Sequence, residues 1–471
     1  MTFKEHVQRA GAGIALRPLL HYIEKNPGQN IVKLVNWVDR LSRREFPEKT
    51  MTAFKAGAMD PENVWVQLVT RLLRETDKAH TRRFLMTLGL GVMNGTKLVR
   101  KHREMYNCNI PFQILFDPTS ACNLKCKGCW AGEYDKHDNL TLEQMDDIVR
   151  QAKALGTRMF MLTGGEPLMR ADDVLRVARK HRECYFVIYT NATLLDDDLL
   201  KRVKKCGNIT FAISVEGTPE SNDARRGEGA YKRSIAAMQR LKEAGLLFGI
   251  SVCYTRDNIE AVTSDEFMQD MIAHGVRFGL YFQYMPVGVR ANVDLIPTPA
   301  QREEMYAWLK RTRNSKAGNG IFVMDFQNDG EYVGGCIAAG RNYFHINAAG
   351  DMEPCVFVHY SDSNIREHTL LEALQRPMFQ AFYKGQPFND NHLKPCPMLE
   401  NPQILREMVK CTGACSTDRV PETVEELCGK CDAYAAEWHP VAERLWEENP
   451  HPRPKTQYYR DACGEQSVSP Q

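Results

Sequence analysis

Pro111-Phe112-Gln113-Ile114-Leu115-Phe116-Asp117-Pro118-Thr119-Ser120-Ala121-Cys122-Asn123-Leu124-Lys125-Cys126-Lys127-Gly128-Cys129 is the stretch on which the reading of this chain turns. Phe112–Phe116 is a short apolar run bounded by prolines, the pattern of a buried strand. A loop carrying three cysteines within eight residues follows at once. The same kind of run recurs at Arg158–Thr163, Tyr185–Thr190, Thr210–Val215, Phe248–Tyr254 and Phe278–Tyr284. Helical periodicity fills the gaps, at 141–155, 171–182, 195–205, 231–244 and 263–274. Strands alternating with helices demand a parallel sheet closed by right-handed crossovers. The fold class is therefore α/β, a partial (β/α)6 TIM-like barrel, with its chemistry on loops at the C-terminal strand ends.

Outward from this core the patterns change. Residues 1–106 read as helices throughout, with Asp60-Pro61-Glu62-Asn63 as a helix start capped by Asp60. Residues beyond about 325 lose the alternation and become rich in cysteine, glycine and turns. Tyr343–Ile346, a turn at Asn347–Asp351, and Val356–Val358 read as a β-hairpin. The expected organisation is an all-helical N-terminal domain (1–108), the barrel (109–315), a small cysteine-rich C-terminal domain (325–463) and a disordered tail (464–471).

The chain has 471 residues, 43% hydrophobic and 25% charged, the balance of a globular protein. No apolar run is long enough to span a bilayer, and the N-terminus lacks a signal-peptide layout. A cytoplasmic location is expected, peripheral at a membrane in one variant, and there fifteen cysteines read as metal ligands before disulfides. Net charge is only +2, but residues 1–110 carry 19 Lys+Arg against 10 Asp+Glu. That excess suits an anionic partner such as a membrane surface, or simply a solvated helical face. No nucleic acid is expected.

Cys122, Cys126 and Cys129 can converge on one metal centre. Iron–sulfur clusters normally take four thiolates, so a compact set of three leaves one iron open. The competing reading is zinc, which prefers paired CxxC units.

The arrangement resembles the radical S-adenosylmethionine (SAM) superfamily, whose hallmark is CxxxCxxC after the first barrel strand, and the resemblance spans about residues 111–290. Gly164-Gly165-Glu166-Pro167 after the second strand matches the family's GGEP, which implies that Gly164, Gly165 and Glu166 bind the SAM amino group. Thr190-Asn191 ends the third strand where relatives carry a TN pair. Ser214 and Glu216 end the fourth, where relatives contact the ribose or carboxylate. Asn222-Asp223-Ala224-Arg225-Arg226-Gly227 is similar to the family's HDxxRG, making Arg226 the candidate partner of the SAM carboxylate, and Ser251 holds another position near SAM. Two departures stand out. Gly128 occupies the place of the usual aromatic residue, for which Trp130 is the expected substitute, and Asn222 replaces a histidine.

The C-terminal cysteines form C-x13-G-x4-C, from Cys336 through Gly350 to Cys355, followed by Cys396, Cys411, Cys415 and the CxxC pair Cys428 and Cys431. This layout resembles the SPASM and Twitch domains, which implies one or more auxiliary [4Fe–4S] clusters. Cys336 and Cys355 are the expected ligands, with Cys428, Cys431 and Cys396 favoured to complete the set and Cys411 and Cys415 as weaker candidates. A zinc ribbon is the alternative. Cys108, Cys184, Cys206, Cys253 and Cys463 are isolated and read as small buried hydrophobes.

The resemblance implies an enzyme whose [4Fe–4S] cluster reductively cleaves SAM, under anaerobic conditions, to a 5′-deoxyadenosyl radical that abstracts hydrogen from an unactivated C–H bond. It implies a low-potential donor such as ferredoxin or flavodoxin. The expected substrate is a peptide or protein. A membrane lipid acyl chain, as in a tetraether synthase, and a noncatalytic iron–sulfur or zinc module remain as alternatives.

Overall fold

The computed structural model describes residues 55–449 apart from 61–62, 88–91 and 315–319, together with residues 18, 21–22, 25–26, 30–33 and 35–36. Cys463, the tail and most of residues 1–54 lie outside the described residues.

All six strands expected from the sequence form: β1 (Gln113–Phe116), β2 (Met159–Leu162), β3 (Tyr185–Thr190), β4 (Ile209–Ser214), β5 (Phe248–Tyr254) and β6 (Phe278–Gln283). They pair in parallel in chain order. The five crossover helices sit where the periodicity puts them, at Leu142–Leu155, Ala171–Lys180, Asp197–Cys206, Ala230–Glu243 and Asp265–Ala273. Local chemistry fixes their ends. Thr141 and Gln144 form a capping box, Asp196 and Ser264 cap two further helices, and Gly156 and Gly207 close two of them in the left-handed conformation.

The sheet has nine strands rather than six. β7 (Phe322–Asp325) extends it in parallel beside β6. On the opposite side β8 (His345–Ile346) pairs in parallel with β1, and β9 (Met352–Glu353) returns antiparallel. The hairpin of the cysteine-rich region is therefore continuous with the barrel sheet. Its second strand is Met352–Glu353, not Val356–Val358. The latter segment turns back on itself through a Cys355–Val358 bridge.

The N-terminal helices close the other end of the barrel. Phe84, on the helix Lys78–Leu85, meets Tyr185 edge-on at 5.3 Å, at the start of β3. Arg83 donates to the carbonyls of Lys205 and Cys206 at 3.0 Å, completing a helix C-terminus. The preceding helix starts at Val64, and its N-cap is Asn63, whose side chain accepts from the Trp65 amide; Asp60 does not serve.

Two buried ionic knots fasten the C-terminal region to this frame. Arg302 and Glu400, both without solvent exposure, pair at 2.5 Å. The guanidinium also donates to Asn328 and Leu393 O and lies 4.2 Å over the Trp438 ring. In the second knot His345 of β8 lies between Asp117 at the end of β1 (3.1 Å) and Glu353 of β9 (2.6 Å). Tyr134, Asn347 and Thr417 all donate to the same Glu353 carboxylate. Burial alone would lower the His345 pKa, but Asp117 and Glu353 outweigh it and raise it to about 10. The imidazolium is thus the charge that lets two carboxylates stay buried together.

Removing one partner of a buried pair strands the other charge, so Arg302→Ala should lower the unfolding midpoint by an amount corresponding to about 3–5 kcal/mol. Thermal denaturation against Arg302→Met, which keeps the volume, separates charge from packing. A raised histidine pKa contributes stability that is complete below its unfolded value of about 6.5 and is lost as pH rises through about 10. Unfolding midpoints measured across that interval should therefore decline more steeply in the parent protein than in His345→Gln; identical profiles would remove the knot from the stability balance.

Candidate active site

The cysteine loop is held by the ends of three neighbouring strands and by the helix after the fourth. Gly165 and Glu166, beyond β2, donate their amides to the carbonyls of Thr119 and Ala121 at 2.9 and 2.8 Å. A Cβ on Gly165 would collide with the Ala121 carbonyl, and one on Gly164, where φ is +101°, would stand 2.5 Å from Thr119 O. Only glycines allow the two backbones this close. Asn191, beyond β3, donates to Asn123 at 2.7 Å, and Asn123 donates to Thr193 at 2.7 Å. The Lys127 amide donates to Arg225 O at 2.9 Å.

Within this frame Cys122, Cys126 and Cys129 are free thiols that line one cavity of about 240 Å³. Gly164, Gly165, Glu166, Thr190, Asn191, Ser214, Arg226 and Ser251 line it too. Glu166 is almost fully buried. Its carboxylate accepts from Thr190 Oγ1 (2.7 Å) and from the amides of Asn191 (2.8 Å) and Leu168 (3.0 Å). Burial pushes its pKa up against these three donors.

Glu216 is not in the cavity wall. It lies behind it, without solvent exposure, and takes hydrogen bonds from Arg225 (2.7 Å), Arg226 (2.8 Å) and the Cys253 amide (3.0 Å). Glu216 thereby aims two guanidinium groups at the cysteines, and Arg226 Nη1 comes within 3.9 Å of Cys126 Sγ. Burial raises the thiol pKa of Cys122, to about 11, and of Cys126, with the two arginines opposing it at Cys126.

Three features were not legible in the sequence. Cys253, read there as a buried hydrophobe, faces the cavity two residues beyond Ser251. Cys108, Cys184 and Cys206 are buried as expected. Tyr284, just past β6, covers Gly128: a Cβ on that glycine would stand 2.5 Å from Tyr284 Cε2. The missing aromatic is thus compensated from β6. Trp130 instead turns to the C-terminal region, edge-on to Tyr134, His345 and Phe357.

A second cavity, of about 40 Å³, is lined by Cys336, Cys355 and Cys396. The Tyr343 hydroxyl lies 2.8 Å from Cys355 Sγ. Cys428 and Cys431 are not in this wall; they are buried on the helix Val424–Glu448. Cys411 and Cys415 are exposed. Among the described residues no three His, Cys, Asp or Glu side chains meet at a point as one bound ion requires. A cluster, whose thiolates bind separate irons, needs no such meeting point. Among the described residues no helix is long and apolar enough to cross a membrane.

A model of the radical SAM superfamily matches residues 116–268, and one of SPASM, an iron–sulfur cluster-binding domain, matches residues 336–398. The chain is 24% identical over 353 residues to the AdoMet-dependent heme synthase of Methanosarcina barkeri, covering 69% of this chain and 89% of that protein. It is 28% identical over 263 residues to the mycofactocin maturase MftC of Mycolicibacterium smegmatis, covering 52% and 64%. In fold it is similar to the crystal structure of Streptococcus suis SuiB bound to S-adenosylmethionine, with a TM-score of 0.50 at 20% identity, over 59% of this chain and 69% of that one. Strand order, cysteine loop and both domain matches agree: the chain belongs to the radical SAM superfamily, an enzyme with a [4Fe–4S] cluster and SAM as cofactors, and it carries a SPASM domain for auxiliary iron–sulfur clusters.

Proposed function

We propose that Cys122, Cys126 and Cys129 hold the catalytic cluster and that the enzyme uses its radical on an unactivated C–H bond of a peptide or protein. The observation that carries this reading is the shared cavity, where three free thiols stand beside eight of the nine residues expected to bind SAM. The donor set fits the group. Three thiolates on one loop would leave a fourth iron site for SAM, and Arg225 and Arg226 would offset the negative charge of a thiolate-bound cluster. When bound, cluster and SAM supply a one-electron cleavage that yields a carbon radical.

The chain's own residues bind, orient and shield. The Gly164–Glu166 turn would hold the SAM amino group, and Arg226 would serve its carboxylate. Thr190 and Asn191 fix the Glu166 carboxylate so that it need not reorganise. The apolar remainder of the cavity excludes water from a reactive intermediate. Cys336, Cys355 and Cys396 would hold one auxiliary cluster, and Cys428 and Cys431 would serve a different centre. A low-potential ferredoxin or flavodoxin would supply the electron.

The SPASM match and the maturase relative support the peptide reading. One observation favours a second reading, a porphyrin-type substrate: the heme synthase relatives cover more of the chain than the maturases do. Mass spectrometry of cell extracts incubated anaerobically with and without the enzyme distinguishes a modified peptide from a modified tetrapyrrole.

Reconstituted protein with dithionite and SAM should release 5′-deoxyadenosine, and Cys126→Ala should abolish that release; undiminished release would remove the cluster from this loop. Glu166→Ala deletes an acceptor of three hydrogen bonds. It should weaken SAM binding by about 1.5–3 kcal/mol while the iron content of the first cluster stays nearly constant. Unchanged affinity, measured by equilibrium binding, would reduce Glu166 to a turn residue.

A further inference from the structure

We infer that the group from which this enzyme takes hydrogen is an uncharged apolar side chain, aliphatic or aromatic, of the peptide proposed above. The inference rests on that peptide reading and adds the chemistry of the reacting residue.

Away from the cysteines the cavity runs toward the ends of β6 and β7 and the SPASM domain, and its wall there is a chain of rings. Tyr189 meets Phe282 at 6.1 Å, Phe282 meets Phe326 at 5.6 Å, and Phe326 meets Phe357 at 6.0 Å. Met161 and Met324 fill the barrel interior beside them. Thioethers adapt to the shape of an apolar guest, and rings add area without polar demand. The hydroxyl groups of two tyrosines in this wall already have partners. Tyr189 donates to Met161 Sδ at 3.7 Å, and the Tyr343 hydroxyl is engaged with Cys355.

Of the carboxylates at the border of this region, Asp329 is paired through both oxygens and Asp325 through Oδ1, its buried Oδ2 taking no hydrogen bond. Asp329 takes both guanidinium nitrogens of Arg313 at 2.7 Å. Asp325 stands in register with Tyr281, whose ring packs on Trp308 outside the barrel, and its Oδ1 accepts the amides of Gln327 and Asn328. The basic groups of the cavity, Arg225 and Arg226, are drawn to Glu216 on the SAM side. A charged side chain entering the aromatic end would lose its hydration against rings and thioethers, whereas an apolar one gains by leaving water.

The test uses the reconstituted full chain with dithionite, SAM and perdeuterated N-acetyl amides of leucine, phenylalanine, glutamate or lysine, with perdeuterated octan-1-ol as a non-peptide arm. Deuterium in the released 5′-deoxyadenosine is read by mass spectrometry. The leucine or phenylalanine probe should transfer at least about tenfold more deuterium than the charged probes. Equal transfer from glutamate or lysine, or none from any probe while 5′-deoxyadenosine still forms, overturns the inference. Transfer from octanol alone overturns the peptide reading, and absence of 5′-deoxyadenosine defeats the radical assignment itself; each failure has its own signature. Phe326→Asp should cut transfer from the best probe by at least about tenfold, while Phe326→Leu keeps it within about threefold. Should Phe326→Asp lose iron or helical circular dichroism, the milder pair Met324→Gln and Met324→Leu makes the same comparison. Equal transfer by both members of a pair counts against the apolar wall.

Discussion

The contact of the Gly164–Gly165 backbone with Thr119–Ala121 is the constraint on which the site is built. A loop with three thiols has no intrinsic reason to stay open toward a cavity; alone it would collapse onto its own apolar residues or cross-link. Two amides from the neighbouring strand end pin it, and they reach it only because neither glycine carries a Cβ. The same turn then delivers Glu166, whose carboxylate collects the donors at the end of β3. One close approach therefore joins three consecutive strand ends. The cysteine loop, the Gly164–Glu166 turn and the Thr190–Asn191 pair inherit their relative positions from it.

This coupling explains what was readable from residues alone. The first six strands are short runs, most of them buried at the majority of their positions and β2 at half, so the pattern is an apolar block that local composition reveals. The motifs follow those blocks at fixed offsets, because a strand end can present only the next few residues to the barrel mouth. Cys122, Gly164, Thr190, Ser214 and Ser251 could thus be placed at successive strand ends, and it was the resemblance of their joint order to radical SAM enzymes that implied roles for them.

What escaped the sequence depends on partners far along the chain. β9 carries Glu353, and no local rule makes a fully buried glutamate a strand residue. Its licence is His345 on one side and Tyr134, more than two hundred residues earlier, on the other. The family resemblance implied Glu216 as a SAM contact; the folded chain shows what no local pattern could, that Arg225 and Arg226 pair with it behind the cavity wall. Gly128 looked like a loss of packing for the same reason. The ring that covers it, Tyr284, comes from the far side of the barrel.

The continuity of the sheet has one more consequence. Because β8 pairs with β1, the SPASM cysteines are carried to the mouth of the barrel by backbone hydrogen bonds and not by a flexible tether. The two cavities then share a partition one side chain thick: Met285, Phe326, Val333, Ile337 and Phe357 face both. Tyr343 lines the larger cavity and reaches Cys355 of the smaller one through its hydroxyl. A wall this thin cannot be altered for one chamber alone. A substitution that reshapes the apolar end for a different guest also moves the lining of the cysteine pocket, and close-packed interiors transmit such volume changes rather than absorb them. The two cavities are for that reason mechanically coupled, and the interlocking of the sheet through β1 and β8 is the physical reason that they can be.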